Sequence, residues 1–206
     1  MAKLYDYWRS SASYRVRIAL GLAEIDYETE VVNLLEGAHL EDDYLARNPQ
    51  GLVPALEVDG GTLTQSLAII QYLDETLKLG LMPNLPASRA RVRAMAYAIA
   101  MDIHPVCNLS VVQFAVEQSG GTITNESWMQ HFIHKGLSAY EVMIRDGKYS
   151  YGDEVTIADI CLMPQLYNAD RWGVSLENMP KIQSVRNALE SIPAFANAHP
   201  DRCKQD

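Results

Sequence analysis

Residues 7–20 read YWRSSASYRVRIAL, and the fold of the first part of the chain can be worked outward from them. Residues 3–8, which lead into the serines, are strand-like. The hydroxyls at positions 10, 11 and 13 are typical of a helix N-terminus, and Tyr14–Glu24 follows with apolar residues at helical spacing. A second strand is predicted over Tyr27–Leu34. The stretch therefore predicts a βαβ unit whose first loop joins a strand end to a helix start.

The chain beyond this unit completes a small mixed α/β domain. A weaker helix is predicted over 39–46. Alternating residues over 53–64 predict a hairpin across Asp59-Gly60-Gly61. Ser66 is expected to cap a helix over Leu67–Leu77, which ends the domain near residue 80.

The remainder is predicted to be all-helical. The stretch Leu79–Ala87 contains Gly80, Pro83 and Pro86, so residues 81–87 are the expected linker and the second domain covers 88–206. Proline inside a helix removes a hydrogen bond, so Pro105 and Pro164 are expected to bend or break their helices. The predicted helices are 88–118, 125–145, 156–172 and 179–191. Thr156–Asp159 reads as a capping box with a structural role.

Composition limits the class of protein. The chain has 206 residues, of which 48% are hydrophobic and 21% charged, as in globular proteins. Its longest apolar run, Ala94–Met101, is far shorter than the ~20 residues of a membrane span. The N-terminal residues lack the apolar stretch of a signal peptide. We therefore expect a cytoplasmic protein that does not act at a membrane.

The charge balance argues against nucleic acid as a partner, because 17 basic and 26 acidic residues give a net charge of −9. The first 23 residues are different, since Lys3, Arg9, Arg15 and Arg17 face a single acid, Asp6. Such a cationic spot can hold a small anion. Composition alone favours the plainer interpretation, a solvated helix face.

No metal site is predicted. His131 and His134 have a spacing that metals can use, but no nearby carboxylate or third histidine completes a set. The three cysteines are too far apart for a disulfide framework or a four-thiolate zinc site, and they suit a reducing compartment.

Three local patterns in the first domain could carry chemistry. Pro54 interrupts a strand, either as an edge proline or in a cis Val53–Pro54 bond that aims the backbone of Val53 at an extended peptide. Gln65-Ser66 opens a helix, either as an ordinary cap or as a carboxylate site. The hydroxyls between Arg9 and Arg15 stand at another helix N-terminus, where donors can favour a thiolate.

The order of these patterns resembles the thioredoxin-like domain of glutathione transferases, followed by that family's all-α domain. The resemblance covers nearly the whole chain, and residues 7–20 are similar to the signature of the zeta class. Supporting stretches are NP (48–49), LVPAL (52–56), QSLAII (65–70), NLSV (108–111) and YGDEVTIAD (151–159).

The resemblance implies glutathione as cofactor and assigns roles around its sulfur. Ser10 would hydrogen-bond the sulfur and favour its thiolate, while Ser11 and Arg15 would shape the same pocket. Arg9 and Arg171 would bind the carboxylates of a small dicarboxylate substrate. The remaining expected contacts to glutathione are Val53 by its backbone, Gln65 and Ser66 at the γ-glutamyl end, His39, His104 and Asn108.

The chain departs from the zeta pattern at Ala12, where the family usually has cysteine. No cysteine precedes Cys107, so this turn offers neither a redox pair nor a cysteinyl nucleophile. The reactive sulfur must then be that of glutathione. Tyr7 is an alternative activator of the thiol, as in other transferase classes, but it is expected to be a packing residue.

The implied activity is the cis–trans isomerisation of maleylacetoacetate to fumarylacetoacetate in tyrosine and phenylalanine catabolism. Adding a thiolate to the conjugated double bond allows rotation before the thiolate leaves. Three alternatives remain: maleylpyruvate isomerisation, conjugation of α-haloacids or other electrophiles, and a non-catalytic binding module. The resemblance also implies a homodimer.

Overall fold

The computed structural model describes residues 1–204 and divides the chain into two compact units. Unit 1 contains residues 1–80 and 192–204, and unit 2 contains Leu81–Ser191. Unit 1 is a mixed α/β unit and unit 2 is helical, which confirms the predicted fold class. No helix within residues 1–204 has both the length and the apolar character needed to cross a membrane.

A four-stranded sheet, counted over the described residues, forms the frame of unit 1. The elements of unit 1 are β1 (Ala2–Asp6), α1 (Ser11–Leu22), β2 (Tyr27–Val31), a 3₁₀ turn (Ala38–Leu40), α2 (Asp42–Leu45), β3 (Ala55–Val58), β4 (Gly61–Thr64), α3 (Ser66–Leu77), α9 (Pro193–Asn197) and α10 (Pro200–Cys203). The strands lie in the order β2-β1-β3-β4, with β1 parallel to β2 and antiparallel to β3.

The predicted hairpin is confirmed, with a turn one residue shorter than expected. Asp59 and Gly60 both have positive φ, 51° and 77°, and Gly61 already begins β4. Two central residues of positive φ give the turn whose twist matches that of the flanking strands. Pro54 lies just before β3, after a cis Val53–Pro54 bond, so it occupies no ladder position.

The C-terminal segment corrects the predicted extent of the helical domain. Residues 192–204 pack on unit 1 instead of extending the helices of unit 2. The hydroxyl of Tyr14 donates to the carbonyl of Phe195 at 3.4 Å, and Phe195 is fully buried. A Cβ on Gly21 would lie 3.2 Å from the Cβ of Ala194, so the lack of a side chain lets α1 and α9 approach closely.

Unit 2 contains six helical elements within the described residues. They are α4 (Pro86–Tyr97), a π-helix (Ala98–Ile103), α5 (Leu109–Gln118), α6 (Asn125–Met143), α7 (Ile157–Arg171) and α8 (Pro180–Glu190). The expected break at Pro105 falls between the π-helix and α5. Pro164 does not break its helix, because α7 continues through it from Ile157 to Arg171.

The predicted capping box is present at the start of α7. Oδ2 of Asp159 accepts the N–H of Thr156 at 2.8 Å, and the hydroxyl of Thr156 accepts the N–H of Ala158 at 3.3 Å. Oδ1 of Asp159 accepts the N–H of Ser150 at 2.8 Å. The buried carboxylate therefore satisfies backbone donors at the helix start and in the preceding loop, as a structural role requires.

Candidate functional site

The turn between β1 and α1 holds Ser10. The N–H of Ser10 donates to the carbonyl of Tyr7 at 2.8 Å, which ends β1 two residues earlier than the sequence indicates. Oγ of Ser10 accepts the N–H of Ser13 at 3.2 Å, so Ser10 is the N-cap and α1 begins at Ser11, not Tyr14. A hydroxyl that accepts one bond still has its proton to donate. Ser10 is partly exposed and Ser11 is buried.

The cationic spot is not a solvated helix face, because Arg15 and Arg17 are each only 2% exposed. Arg15 Nη1 donates to the hydroxyl of Ser66 at 3.3 Å, which joins α1 to the first residue of α3. Arg9 is partly exposed, and its guanidinium lies 5.4 Å from the centre of the Trp8 ring. Of the four cations in the spot, Lys3 and Arg9 are therefore partly exposed and the other two are buried.

Gln65, and not Ser66, is the N-cap of α3. Its backbone has φ 69° and ψ 111°, a region of φ/ψ space that residues other than glycine rarely adopt. Such residues persist where surrounding structure holds them, and they concentrate at ligand sites. Nε2 of Gln65 donates to Oε1 of Gln50 at 2.7 Å. Gln50 thus contacts a candidate site residue, a contact that the sequence did not predict.

Val53 presents backbone groups beside this helix start. Within residues 1–204 neither its N–H nor its C=O bonds another backbone group. The carbonyl before it, that of Leu52, accepts bonds at 2.6 Å from both the hydroxyl of Tyr44 and Nδ2 of Asn48. Burial raises the pKa of Tyr44 to about 12, so its hydroxyl stays a donor at neutral pH. The loop before Val53 is thus held in place while Val53 keeps its donor and acceptor.

His39 lies in the 3₁₀ turn, next to the loop that carries Gln50. Its carbonyl would lie 3.1 Å from a Cβ on Gly51, whose φ is 61°. Nδ1 of His39 is buried, and within the described residues no hydrogen-bond partner reaches it. A buried polar atom of this kind is expected to find a partner in a ligand or a water molecule.

The first unit therefore gathers groups suited to an extended peptide that carries a carboxylate. Val53 offers a backbone donor and acceptor, which an extended peptide can pair with. The N-terminus of α3 favours negative charge, and the buried cation of Arg15 adds to it at Ser66. Ser10 offers a hydroxyl proton at the N-terminus of α1, where a developing anion is also favoured.

The other three candidate residues lie in unit 2. His104 follows the π-helix, and its N–H donates to the carbonyl of Ile99 at 2.9 Å. Asn108 is the N-cap of α5, and its Oδ1 accepts the N–H of Ser110 at 3.1 Å, a structural role that the sequence analysis did not assign. Arg171 is exposed at the end of α7. Its Nη1 donates to Oδ1 of Asn168 at 3.2 Å.

Two known sequence families match most of the chain. Residues 1–75 match "Glutathione S-transferase, N-terminal domain", and residues 106–197 match "Glutathione S-transferase, C-terminal domain". A maleylacetoacetate isomerase of Rhizobium meliloti (strain 1021) is 54% identical over 206 residues, which cover 98% of this chain and 97% of the relative.

Solved structures give the same relationship. A bacterial maleylpyruvate isomerase, described as a zeta-class glutathione S-transferase in its holo form, superposes with a TM-score of 0.94 at 38% identity, covering 99% of both chains. A maleylacetoacetate isomerase from Anaeromyxobacter dehalogenans 2CP-1, with dicarboxyethyl glutathione and citrate in its active site, gives 0.87 at 40% identity and covers 98% of this chain and 95% of its own. The chain therefore belongs to the glutathione S-transferase family and, within it, to the zeta class.

Proposed function

We propose that this protein is a glutathione-dependent cis–trans isomerase that converts maleylacetoacetate to fumarylacetoacetate. The observation that carries the proposal is the 54% identity to the Rhizobium meliloti maleylacetoacetate isomerase over nearly the full length of both chains. The groups gathered in unit 1 fit the tripeptide. Its extended backbone would pair with Val53, and its γ-glutamyl carboxylate would meet Gln65, Ser66 and the N-terminus of α3.

When bound, glutathione supplies the thiolate that adds to the conjugated double bond and leaves after rotation. Ser10 donates its hydroxyl proton to the sulfur and so favours the charged form, with support from the N-terminus of α1. Ser11 and Arg15 shape the pocket around it. His39, with a buried ring nitrogen that lacks a partner in residues 1–204, contributes a polar contact to glutathione.

The dicarboxylate is held by cations. Arg9 and Arg171 are the proposed partners of its carboxylates, since arginine forms paired hydrogen bonds with such groups. His104 and Asn108 are proposed to contact glutathione on the side of the thiol. The dicarboxyethyl glutathione in the Anaeromyxobacter dehalogenans enzyme supports a ligand of this kind, a glutathione that carries two further carboxylates.

A second substrate has a specific observation in its favour. The bacterial maleylpyruvate isomerase superposes on this chain with a TM-score of 0.94. Maleylpyruvate is a shorter diacid that undergoes the same chemistry. The higher identity, 54% against 38%, favours maleylacetoacetate.

We further propose a homodimer in the cytoplasm. The dimer rests on the resemblance to the zeta class, and light scattering on the purified protein tests it. The compartment is supported by three cysteines that are all reduced thiols in the described structure, as a reducing environment allows.

A kinetic comparison tests the function. The purified protein is assayed with glutathione and one of three substrates: maleylacetoacetate, maleylpyruvate or chlorodinitrobenzene. We expect the largest kcat/KM with maleylacetoacetate and no turnover without glutathione. A larger value with maleylpyruvate would transfer the proposal to that acid, and conjugation of chlorodinitrobenzene without isomerisation would leave a transferase. Glutathione binding without any turnover would indicate a binding module.

A further inference from the structure

A buried arginine outside the candidate site is bonded to three separate parts of unit 1. Nη1 of Arg17 lies 2.8 Å from both carboxylate oxygens of Asp6, and the two residues are 2% and 3% exposed. Nη2 of Arg17 donates to the carbonyl of Trp8 at 2.9 Å, and Nε donates to that of Ala198 at 3.1 Å. One cation thus joins the end of β1, the turn before α1 and the C-terminal segment.

These bonds hold the turn that carries Ser10. Asp6 is the last residue of β1, and Trp8 lies within the turn. The carbonyl of Tyr7, between them, accepts the N–H of Ser10. Residues 6, 7 and 8 are therefore all held by hydrogen bonds, and the guanidinium of Arg17 holds the first and the last of them. Because a hydroxyl must lie within hydrogen-bond distance of the atom it stabilises, the position of this turn sets how well Ser10 can act.

The charge of Arg17 is balanced by Asp6. The ring of Tyr14 lies 5.4 Å from the guanidinium carbon. Burial raises the pKa of Tyr27 to about 12 and also raises that of Cys203, although Arg17 lowers both. Both groups are therefore neutral at pH 7. Among the groups named here, Asp6 is the anion that faces the guanidinium, which makes this pair the restraint to test.

We infer that Arg17 is a positioning residue for the activation of the thiol, and that it links this activation to the C-terminal segment 192–204. The inference rests on the role proposed for Ser10. A buried ion pair contributes little net stability, because the loss of hydration offsets the attraction. The planar guanidinium of Arg17 instead fixes the direction of its hydrogen bonds, which the ammonium group of lysine cannot reproduce. Arg17 acts through Ser10 and touches neither glutathione nor the dicarboxylate.

The test follows the pKa of the bound thiol in Arg17→Lys and Asp6→Asn. This pKa is read from the pH dependence of kcat/KM for maleylacetoacetate at saturating glutathione, and from the ultraviolet absorbance of the thiolate in the binary complex. We expect the pKa to rise by about one unit in Arg17→Lys, with kcat/KM at pH 7 about tenfold lower. The KM for glutathione should stay within about twofold, since the groups that hold its backbone are unchanged. Asp6→Asn should shift the pKa of the bound thiol in the same direction, and it replaces Arg17→Lys in the test if that variant does not fold.

Two controls separate the outcomes. Tyr14→Phe removes the bond to the Phe195 carbonyl in the same C-terminal segment and leaves the turn intact, so it should lower the melting temperature without moving the thiol pKa. If Arg17→Lys and Asp6→Asn behave like Tyr14→Phe, the inference is overturned. Ser10→Ala reports on the proposed function: if it raises the pKa while the Arg17 and Asp6 variants do not, only the present inference fails. If Ser10→Ala leaves the pKa unchanged, the role of Ser10 fails and this inference with it.

Discussion

The guanidinium of Arg15 joins the two helices that begin at the candidate site, α1 and α3, because its Nη1 donates to the hydroxyl of Ser66 at 3.3 Å. Both side chains are buried. The bond places a positive charge next to the first residue of α3, where the helix dipole already favours an anion. The proposed site of the γ-glutamyl carboxylate and the orientation of α1 are thus connected through one contact.

Loss of the Ser66 hydroxyl should weaken glutathione binding and leave the chemical step unchanged. In Ser66→Ala we expect the KM for glutathione to rise about tenfold, because a hydrogen bond to a charged group contributes ~1.5 kcal/mol. The kcat should remain within about twofold, since no contact to the reacting atoms is lost. Ser138→Ala, an equal change at a partly exposed position in α6, is the matched control. A fall in kcat with an unchanged KM would contradict the assignment of Ser66.

Ser10 and Tyr7 differ in their surroundings, and this predicts different mutant phenotypes. Tyr7 is 6% exposed and packs in a cluster with Tyr5, Val32 and Tyr44, so Tyr7→Phe should keep kcat/KM within about threefold. Ser10→Ala removes a donor to the sulfur and should lower kcat/KM about a hundredfold. It also removes the cap of α1, at a cost of about 1 kcal/mol in the free energy of unfolding. The opposite ranking of the two variants would assign the thiol to Tyr7.

Local chemistry explains which parts of the fold were predictable. Serines before an apolar helical stretch predicted a helix after β1, although it begins at Ser11 and not at Tyr14. The glycine-containing turn predicted the hairpin, because caps and tight turns depend on residues close in sequence. The burial of Arg15 and Arg17 was missed, since composition records the charge but not the partners. Arg17 finds Asp6 and Ala198, which lie 11 and 181 residues away along the chain.

The site was predictable to a similar degree. The resemblance placed Ser10, Val53 and Ser66 in one domain, and the structure places them at the starts of α1, β3 and α3. The pairing of Gln50 with Gln65 has no signal in periodicity or composition, because it joins a loop to a helix cap across 15 residues. The packing of residues 192–204 on unit 1 was missed for the same reason, as a short helix near a chain end carries no mark of its partner.

Gln50 supports Gln65, so its loss should be felt at the γ-glutamyl end of glutathione. Gln50→Ala removes the 2.7 Å bond to Nε2 of Gln65. The side chain of Gln65, whose backbone has a positive φ, then lacks that hydrogen-bond partner. We expect the KM for glutathione to rise about threefold to fivefold, because one neutral hydrogen bond is worth ~1 kcal/mol. Gln50 is exposed, so the melting temperature should hardly change. An unchanged KM, measured with glutathione as the varied substrate, would show that Gln65 is held by its backbone alone.

The buried carboxyl of Asp159 should make stability depend on pH. Burial raises the pKa of Asp159, although bonds from Ser150 and Thr156 oppose the shift. The folded chain then keeps this proton to a higher pH than the unfolded chain, so the contribution of Asp159 to the free energy of unfolding falls as pH rises from the ordinary carboxyl pKa to the raised one. In Asp159→Asn that part of the pH dependence should vanish, while stability at pH 7 drops by about 1–3 kcal/mol. Urea unfolding at several values between about pH 4 and pH 7 measures both effects.

The three thiols should differ in reactivity, and the order follows from burial. Burial raises the pKa of Cys107 to about 11, so less than about one part in a thousand is thiolate at pH 7. Cys161 is fully buried within α7. Cys203 is partly exposed; burial raises its pKa, and the charge of Arg17 opposes the shift.

A disulfide reagent applied to the native protein should therefore label Cys203 first, with a rate that is still rising above about pH 8, and label the other two thiols only on unfolding. Mass spectrometry of peptides after timed quenching identifies the modified residue. Cys203→Ser should abolish the fast phase. Rapid modification of Cys107 in the native state would mean that the segment between the π-helix and α5 opens on the timescale of the assay.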